Sequence, residues 1–312
     1  MAKSKSVAIS KRTVLDGLLA DLNMKYKGQV VQWLSDTLDK DRFSTGIDHL
    51  DMLLGGGIPK GCIVEIFGLK QSGKTSLALT MAGQCESVLY IDGERKITKA
   101  WAELFGAHGE YVIAQPSCLE QALELVRHFI HSGTQLIIID SLPSLPSRKE
   151  QEETNYDKNT GMAHTAGILS RKLGVLNNLC HEMQATLVIV NQLRANVNAP
   201  PFGEQYHTFG GLMLPSIAAV RISVARKSWL KDARIGVYGQ EVAYLIDKSS
   251  VSAPRKGGDA PLLFDHGFVD QHAHTNILPV LRDKFTTARK QTTVITSDDV
   301  SVQEVFQEVL DE

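Results

Sequence analysis

Apolar runs of five or six residues alternate with longer stretches whose apolar positions recur at helical spacing, which predicts a mainly parallel sheet covered by helices. Cys62–Phe67, Ser87–Asp92, Gln135–Asp140 and Thr186–Asn191 read as central strands. The last three stay apolar until a polar residue at the carboxyl end, where ligands of open α/β sheets collect. Leu119–Ile130 and Ala166–Met183 read as covering helices. Shorter runs at Val220–Val224, Val242–Ile246 and Pro261–Phe264, separated by polar turns, extend the same sheet in an antiparallel sense.

Two flanks stand apart from this α/β core. Lys11–Tyr26 is a short amphipathic helix with Val14, Leu18, Leu19 and Leu22 as its apolar positions, followed by an extended Gln29–Trp33. Residues 270–312 are charged and turn-rich and finish in a helix over Val302–Leu310. Its Val302, Val305, Phe306 and Val309 stripe suits either a partner or the chain's own core. Three segments follow: an arm at 1–40, a core at 41–269 and a tail at 270–312.

Composition adds limits more than content. With 312 residues, 43% of them hydrophobic, the chain can bury a sizeable core. The longest apolar runs are too short to span a bilayer and the polar start has no secretory pattern, so a cytoplasmic location with no membrane partner is the default expectation. Cys62, Cys85, Cys118 and Cys180 lack metal-site spacing and read as buried free thiols. A net charge of −2 neither advertises nor excludes nucleic acid, because a few basic residues per subunit act collectively in a polymer.

The chemistry concentrates at Gly68-Leu-Lys-Gln-Ser-Gly-Lys-Thr75, set between the strand Cys62–Phe67 and the helix-forming Ser76-Leu-Ala-Leu-Thr80. In such a loop, which includes Gln71, Ser72 and Gly73, backbone N–H groups cradle phosphate oxygens. Lys74 reaches the outer phosphates and the Thr75 hydroxyl ligates magnesium. The expected ligand is therefore a nucleoside triphosphate with Mg2+. Asp140, ending an apolar strand with Ser141 beside it, suits a second group in the magnesium shell. Hydrolysis needs a group that positions or deprotonates water. Glu94 is the best-placed candidate and Asp92 competes with it. Asn191 and Gln192, at another strand tip, offer neutral amides to a terminal phosphate.

Arg42–Gly61, the phosphate loop, Tyr90-Ile-Asp-Gly-Glu94, Ile139-Asp-Ser141, Asn191-Gln-Leu-Arg194 and Thr208-Phe-Gly-Gly211 together resemble the bacterial RecA recombinases in order and spacing, from about Lys11 to Asp270. The resemblance implies an ATP-binding RecA-like P-loop core in which Lys74, Thr75 and Asp140 hold ATP and magnesium and Glu94 is the catalytic glutamate. It makes Gln192 the link between the terminal phosphate and a DNA-binding loop. Trp101 falls where an aromatic ring stacks near the adenine, although a core or interface role suits it almost as well. DNA loops are implied within Arg148–Thr160 and between Arg194 and Phe209. Arg194, Gly210 and Gly211 would contact phosphates, Val197 would wedge between bases, and His164 and Arg171 would be basic contacts after the first loop.

Lys248 matches one of two lysines that reach a neighbouring subunit's terminal phosphate. The second position holds Ser250, with Arg255 and Lys256 as substitutes made doubtful by Pro254. The first loop is acidic here (Glu150, Glu152, Glu153), and the tail is shorter than the family's usual carboxyl-terminal domain. The implied partners are single-stranded DNA, homologous duplex and further copies of the chain in a helical filament performing strand exchange. A ring-forming motor and a regulatory paralogue are the alternative readings.

Overall fold

The computed structural model describes residues 11–28, 30–36, 40–153, 161–195, 206–270 and 273–283. The chain divides into two compact units, Met1–Asp41 and Arg42–Glu312.

The first unit is built on α1 (Lys11–Tyr26), which matches the expected helix. The segment after it is not a strand, because among the described residues no ladder partner lies beside it. Asn23 holds it instead: its carbonyl oxygen accepts from the N–H groups of Val30 (2.7 Å) and Val31 (2.9 Å), and its amide donates to the Val31 carbonyl. The Trp33 indole donates to Asp16 and lies 5.3 Å from the Arg12 guanidinium. Val14, Leu15 and Leu18 remain exposed on α1.

The second unit opens with β1 (Arg42–Phe43), α2 (Asp48–Leu54) and β2 (Ile58–Pro59), and continues with β3 (Ile63–Gly68), α3 (Lys74–Ala82), β4 (Ser87–Asp92), α4 (Lys99–Leu104) and β5 (Glu110–Ala114). Then come α5 (Leu119–His131), β6 (Leu136–Asp140), α6 (Arg148–Glu152), α7 (Gly161–Met183), β7 (Thr186–Ala195) and β8 (Tyr206–Thr208). The chain proceeds through α8 (Met213–Ile217), β9 (Val220–Asp232), β10 (Gly236–Ser249), β11 (Gly257–Leu263) and β12 (Gly267–Phe268), and is helical over 273–283.

One large sheet runs in the order β12-β11-β10-β9-β3-β7-β6-β4-β5. From β9 to β5 its strands are parallel; β10, β11 and β12 add antiparallel. The central strands are buried on both faces, as their unbroken apolar runs require. One core lies on the side of α3 around Ile66, Leu77 and Val190, and the other lies beneath α5 and α7 around Leu123, Leu173 and Ile189. Register aligns Gly68 with Gln192 and Asp92 with Asp140, so the polar strand ends gather at one rim.

β9 and β10 continue well beyond the apolar runs that signal them, as a hairpin exposed at its far end. Cys62, Cys118 and Cys180 are buried, while Cys85 is half-buried. Among the described residues no helix is long and apolar enough to cross a membrane.

Candidate nucleotide site and nucleic-acid loops

β3 ends at Gly68 and α3 begins at Lys74, so the intervening loop presents the start of a helix at the polar rim. Gly73 caps that helix with φ +96°, a conformation that a side chain would strain, and no side chain bonds its first N–H groups. Free N–H groups and the helix dipole make this an anion seat. The loop lines a cleft of about 410 Å³ together with Trp101, Phe105, Trp229, Gln240 and Phe264.

Lys74 is buried, and its ammonium donates to the Leu69 carbonyl (2.6 Å) and the Ser72 hydroxyl (3.4 Å). Burial lowers its pKa, against the opposing pull of Asp140 and Glu94. Asp140 accepts from the buried Tyr90 hydroxyl at 2.7 Å and from the Thr75 hydroxyl, while burial raises its pKa. Thr75 and Asp140 thus bring two hard oxygen donors together, a set that fits magnesium when phosphates and waters complete its shell. Ser76 follows them in the first turn of α3 and also lines the cleft.

Glu94 and Asp92 are distinguished by their bonds. Asp92 is buried and accepts from the Ile97 N–H at 3.0 Å, which fixes the turn after β4. Glu94 is partly exposed, accepts from Ser141 at 3.1 Å and pairs with Lys96 at 2.8 Å. The Lys96 bond, followed by Ser141 and Lys74, holds its pKa below the usual carboxylate range despite partial burial. The Asp140–Ser141 peptide bond is cis.

On the neighbouring strand, Asn191 donates from its amide to buried Glu65 (2.8 Å) and to the Phe209 carbonyl (2.8 Å), while its oxygen accepts from the Gln192 N–H. Phe209 N–H returns a bond to the Gln192 carbonyl. Arg194 pairs with His207 across the β7–β8 ladder and stacks on the Phe209 ring at 4.5 Å. Gly210 and Gly211 then turn with φ +97° and +81° against α7. The base of the second loop is therefore knitted to the strand beside the phosphate loop.

The model of the RecA N-terminal domain matches residues 13–269. This chain belongs to the RecA family. The RecA protein of Campylobacter jejuni subsp. doylei is 32% identical over 267 residues, spanning 83% of this chain and 77% of the relative. That of Helicobacter hepaticus is 34% identical over 251 residues, spanning 77% and 71%. A crystal structure of the RadB recombinase, 18% identical with a TM-score of 0.54 over 73% of this chain and 98% of that one, shares the fold. DNA recombination and repair by a DNA-dependent ATPase that uses ATP with Mg2+ is the activity of the RecA family.

Other expected RecA-type site residues lie farther off. Lys248 is at the opposite end of the sheet from the phosphate loop: its neighbour Ser249 pairs with Val220, beside Val64 in β3. Its ammonium donates to the Pro215 carbonyl (3.0 Å) and the Ser216 carbonyl (2.5 Å). Ser250 donates its N–H to the Ala219 carbonyl, and Arg255 faces Asp247 at 3.5 Å. The start of the first loop is α6, where the Glu150 carboxylate caps the helix by accepting from the Ser147 N–H. His164 is half-buried with Nδ1 lacking a partner among the described residues, and Arg171 is exposed on α7. Val197 and the helix over 302–310 lie outside the described residues.

Sequence reasoning passed over Tyr90, Trp229, Gln240 and the row Glu65–Arg221–Asp247. Arg221 bonds Glu65 at 2.6 Å and Asp247 at 2.5 Å. A lone glutamate in the apolar run Cys62–Phe67 was a signal for this row, because a carboxylate in a core strand demands a cation. Trp229 sits where no periodicity is legible.

Proposed function

We propose that the chain is an ATP-dependent recombinase that polymerises on single-stranded DNA and pairs it with a homologous duplex, with ATP hydrolysis resetting the grip. The observation carrying this reading is the adjacency of Gly68 and Gln192 on paired strands, since Gln192 and Asn191 also bond the Phe209 end of the second loop. A change at the phosphates thereby has a short bonded route to Arg194, Gly210 and Gly211, the residues assigned here to the DNA backbone. Val197 is assigned to the bases, and His164 and Arg171 to the edge of the first loop.

In the cleft, the N–H groups at the start of α3 and the Lys74 ammonium bind the phosphates, and Thr75 and Asp140 hold the metal. Magnesium, when bound, offsets charge developing on the phosphoryl oxygens. Glu94, kept ionised by Lys96 and Ser141, orients and deprotonates the attacking water. Lys248 acts on the next subunit's phosphates, a role supported by its distance from its own.

Residues 1–40 act as the polymerisation arm, 41–269 as the ATPase core and 270–312 as a tail. The exposed Val14, Leu15 and Leu18 give the arm an apolar face to bury. Among the described residues no strand pairs with the outer edge of β5, where Val112 and Ile113 are exposed, so an extended segment of a second copy has a ladder to join. Such a heterologous contact generates a helical filament when the rotation it imposes does not close into a ring.

A second reading, a regulatory paralogue that binds ATP without exchanging strands, is favoured by Ser250 at the second lysine position. Single-strand affinity measured with and without a non-hydrolysable ATP analogue, together with electron microscopy and a strand-exchange assay, separates the two. The recombinase shows analogue-dependent filaments and exchange. Equal affinity in both conditions, with subunits remaining single, refutes it.

A further inference from the structure

We propose that Trp229 stacks on the nucleobase, making the β9–β10 hairpin a wall of the nucleoside subsite opposite α4; this rests on the reading of the cleft as a nucleoside triphosphate site.

The register of the hairpin carries the argument. Trp229 lies directly across from Gln240, and side chains of directly opposed residues project on the same face of a ladder. Gln240 is buried against the phosphate loop: its amide nitrogen lies 3.4 Å from the place a Cβ on Gly73 would take. Trp229 is thereby directed to the same side, and it lines the cleft.

Three features prepare the indole for a planar ligand. Phe264 meets it edge-on, with centroids 6.3 Å apart and planes at 76°. The Arg226 guanidinium lies 4.1 Å from its centroid, a cation–π contact that restrains the ring. Trp229 and Phe264 nevertheless stay 41% and 48% exposed, within a cleft whose phosphate end is already built. Aromatic surface open to water beside a polar seat is what a nucleobase would cover.

Away from the phosphate loop and the first turn of α3, the described residues lining this cleft are aromatic or aliphatic apart from the Gln240 amide. Most of the nucleoside's grip must therefore come from ring contact. Trp101, set edge-on to Phe105 at 6.1 Å, supplies the facing wall from α4.

The test separates base from phosphates. Calorimetric titration of the full-length protein with magnesium would compare a non-hydrolysable ATP analogue with ribose 5-triphosphate carrying the same non-hydrolysable bridge, so that the two differ in the base. Trp229→Ala is expected to weaken the analogue roughly tenfold, to leave ribose 5-triphosphate within about twofold, and to be largely rescued by Trp229→Phe. The inference is overturned if the variant leaves the analogue's affinity unchanged, if it weakens both ligands alike, or if the unsubstituted protein does not distinguish them. Binding of neither ligand to the unsubstituted protein would instead sink the nucleotide reading on which the inference rests.

Discussion

Asp92 ends β4 and Glu94 lies in the turn after it, and their hydrogen bonds differ. Asp92 is committed to the Ile97 N–H, whereas Glu94 leans on Ser141 beside Asp140 and stays partly open. Glu94→Gln should therefore bind ATP normally while its turnover falls roughly 10²- to 10⁴-fold, read by single-turnover hydrolysis alongside a binding titration. Asp140 supports a prediction of opposite sign for stability. Burial raises its pKa, so the folded state binds that proton more tightly than the unfolded chain does. The carboxylate then opposes folding above its folded pKa, and the penalty vanishes as pH falls from there through the unfolded value near 3.8. At neutral pH, without metal, Asp140→Asn should melt several degrees higher in calorimetry while losing the magnesium dependence of nucleotide binding. The phosphate loop and Asp140 were legible in the sequence because each is set by a motif at the end of an apolar strand. The sequence put Glu94 ahead of Asp92, but the partners that distinguish them, the Ile97 N–H for Asp92 and the Ser141 hydroxyl and Lys96 ammonium for Glu94, carried no signal of their own.

The elements show the same divide. Strands buried on both faces announce themselves as apolar runs, and β3, β4, β6 and β7 fall where those runs lie. The outer half of the β9–β10 hairpin is exposed, so its residues follow no alternation and Trp229 and Gln240 carried no signal as a pair. The segment after α1 reads as extended from composition, but a strand requires a partner, and Asn23 caps the chain there instead. Where loop meets helix, packing is tight. A Cβ on Gly210 would come within 2.6 Å of Leu169 and would have to adopt φ +97°. Gly210→Ala is expected to cost about 1–3 kcal/mol in denaturant unfolding. It should also weaken single-strand binding in the ATP state more than it slows DNA-independent hydrolysis.

At the scale of the whole molecule, the two halves of the proposed catalytic machinery face away from each other. Lys74 sits at one rim of the sheet and Lys248 at the other, so a lone subunit cannot use both on one nucleotide. Lys74→Ala and Lys248→Ala proteins should each be nearly inactive alone, yet regain part of the DNA-dependent turnover when mixed, because some junctions then combine two intact halves. Absence of recovery at any ratio, in mixtures that still co-assemble, would place Lys248 outside the reaction. The ladder joining β9 to β10 also has a mechanical meaning. It carries Trp229 and Gln240 near one end and Lys248 at the other, so on the proposed reading a single lever would meet the fuel of its own subunit and that of the next. Tilting the lever as one cleft shuts would swing the distant ammonium, and firing would travel along the polymer in one direction, like a row of linked switches.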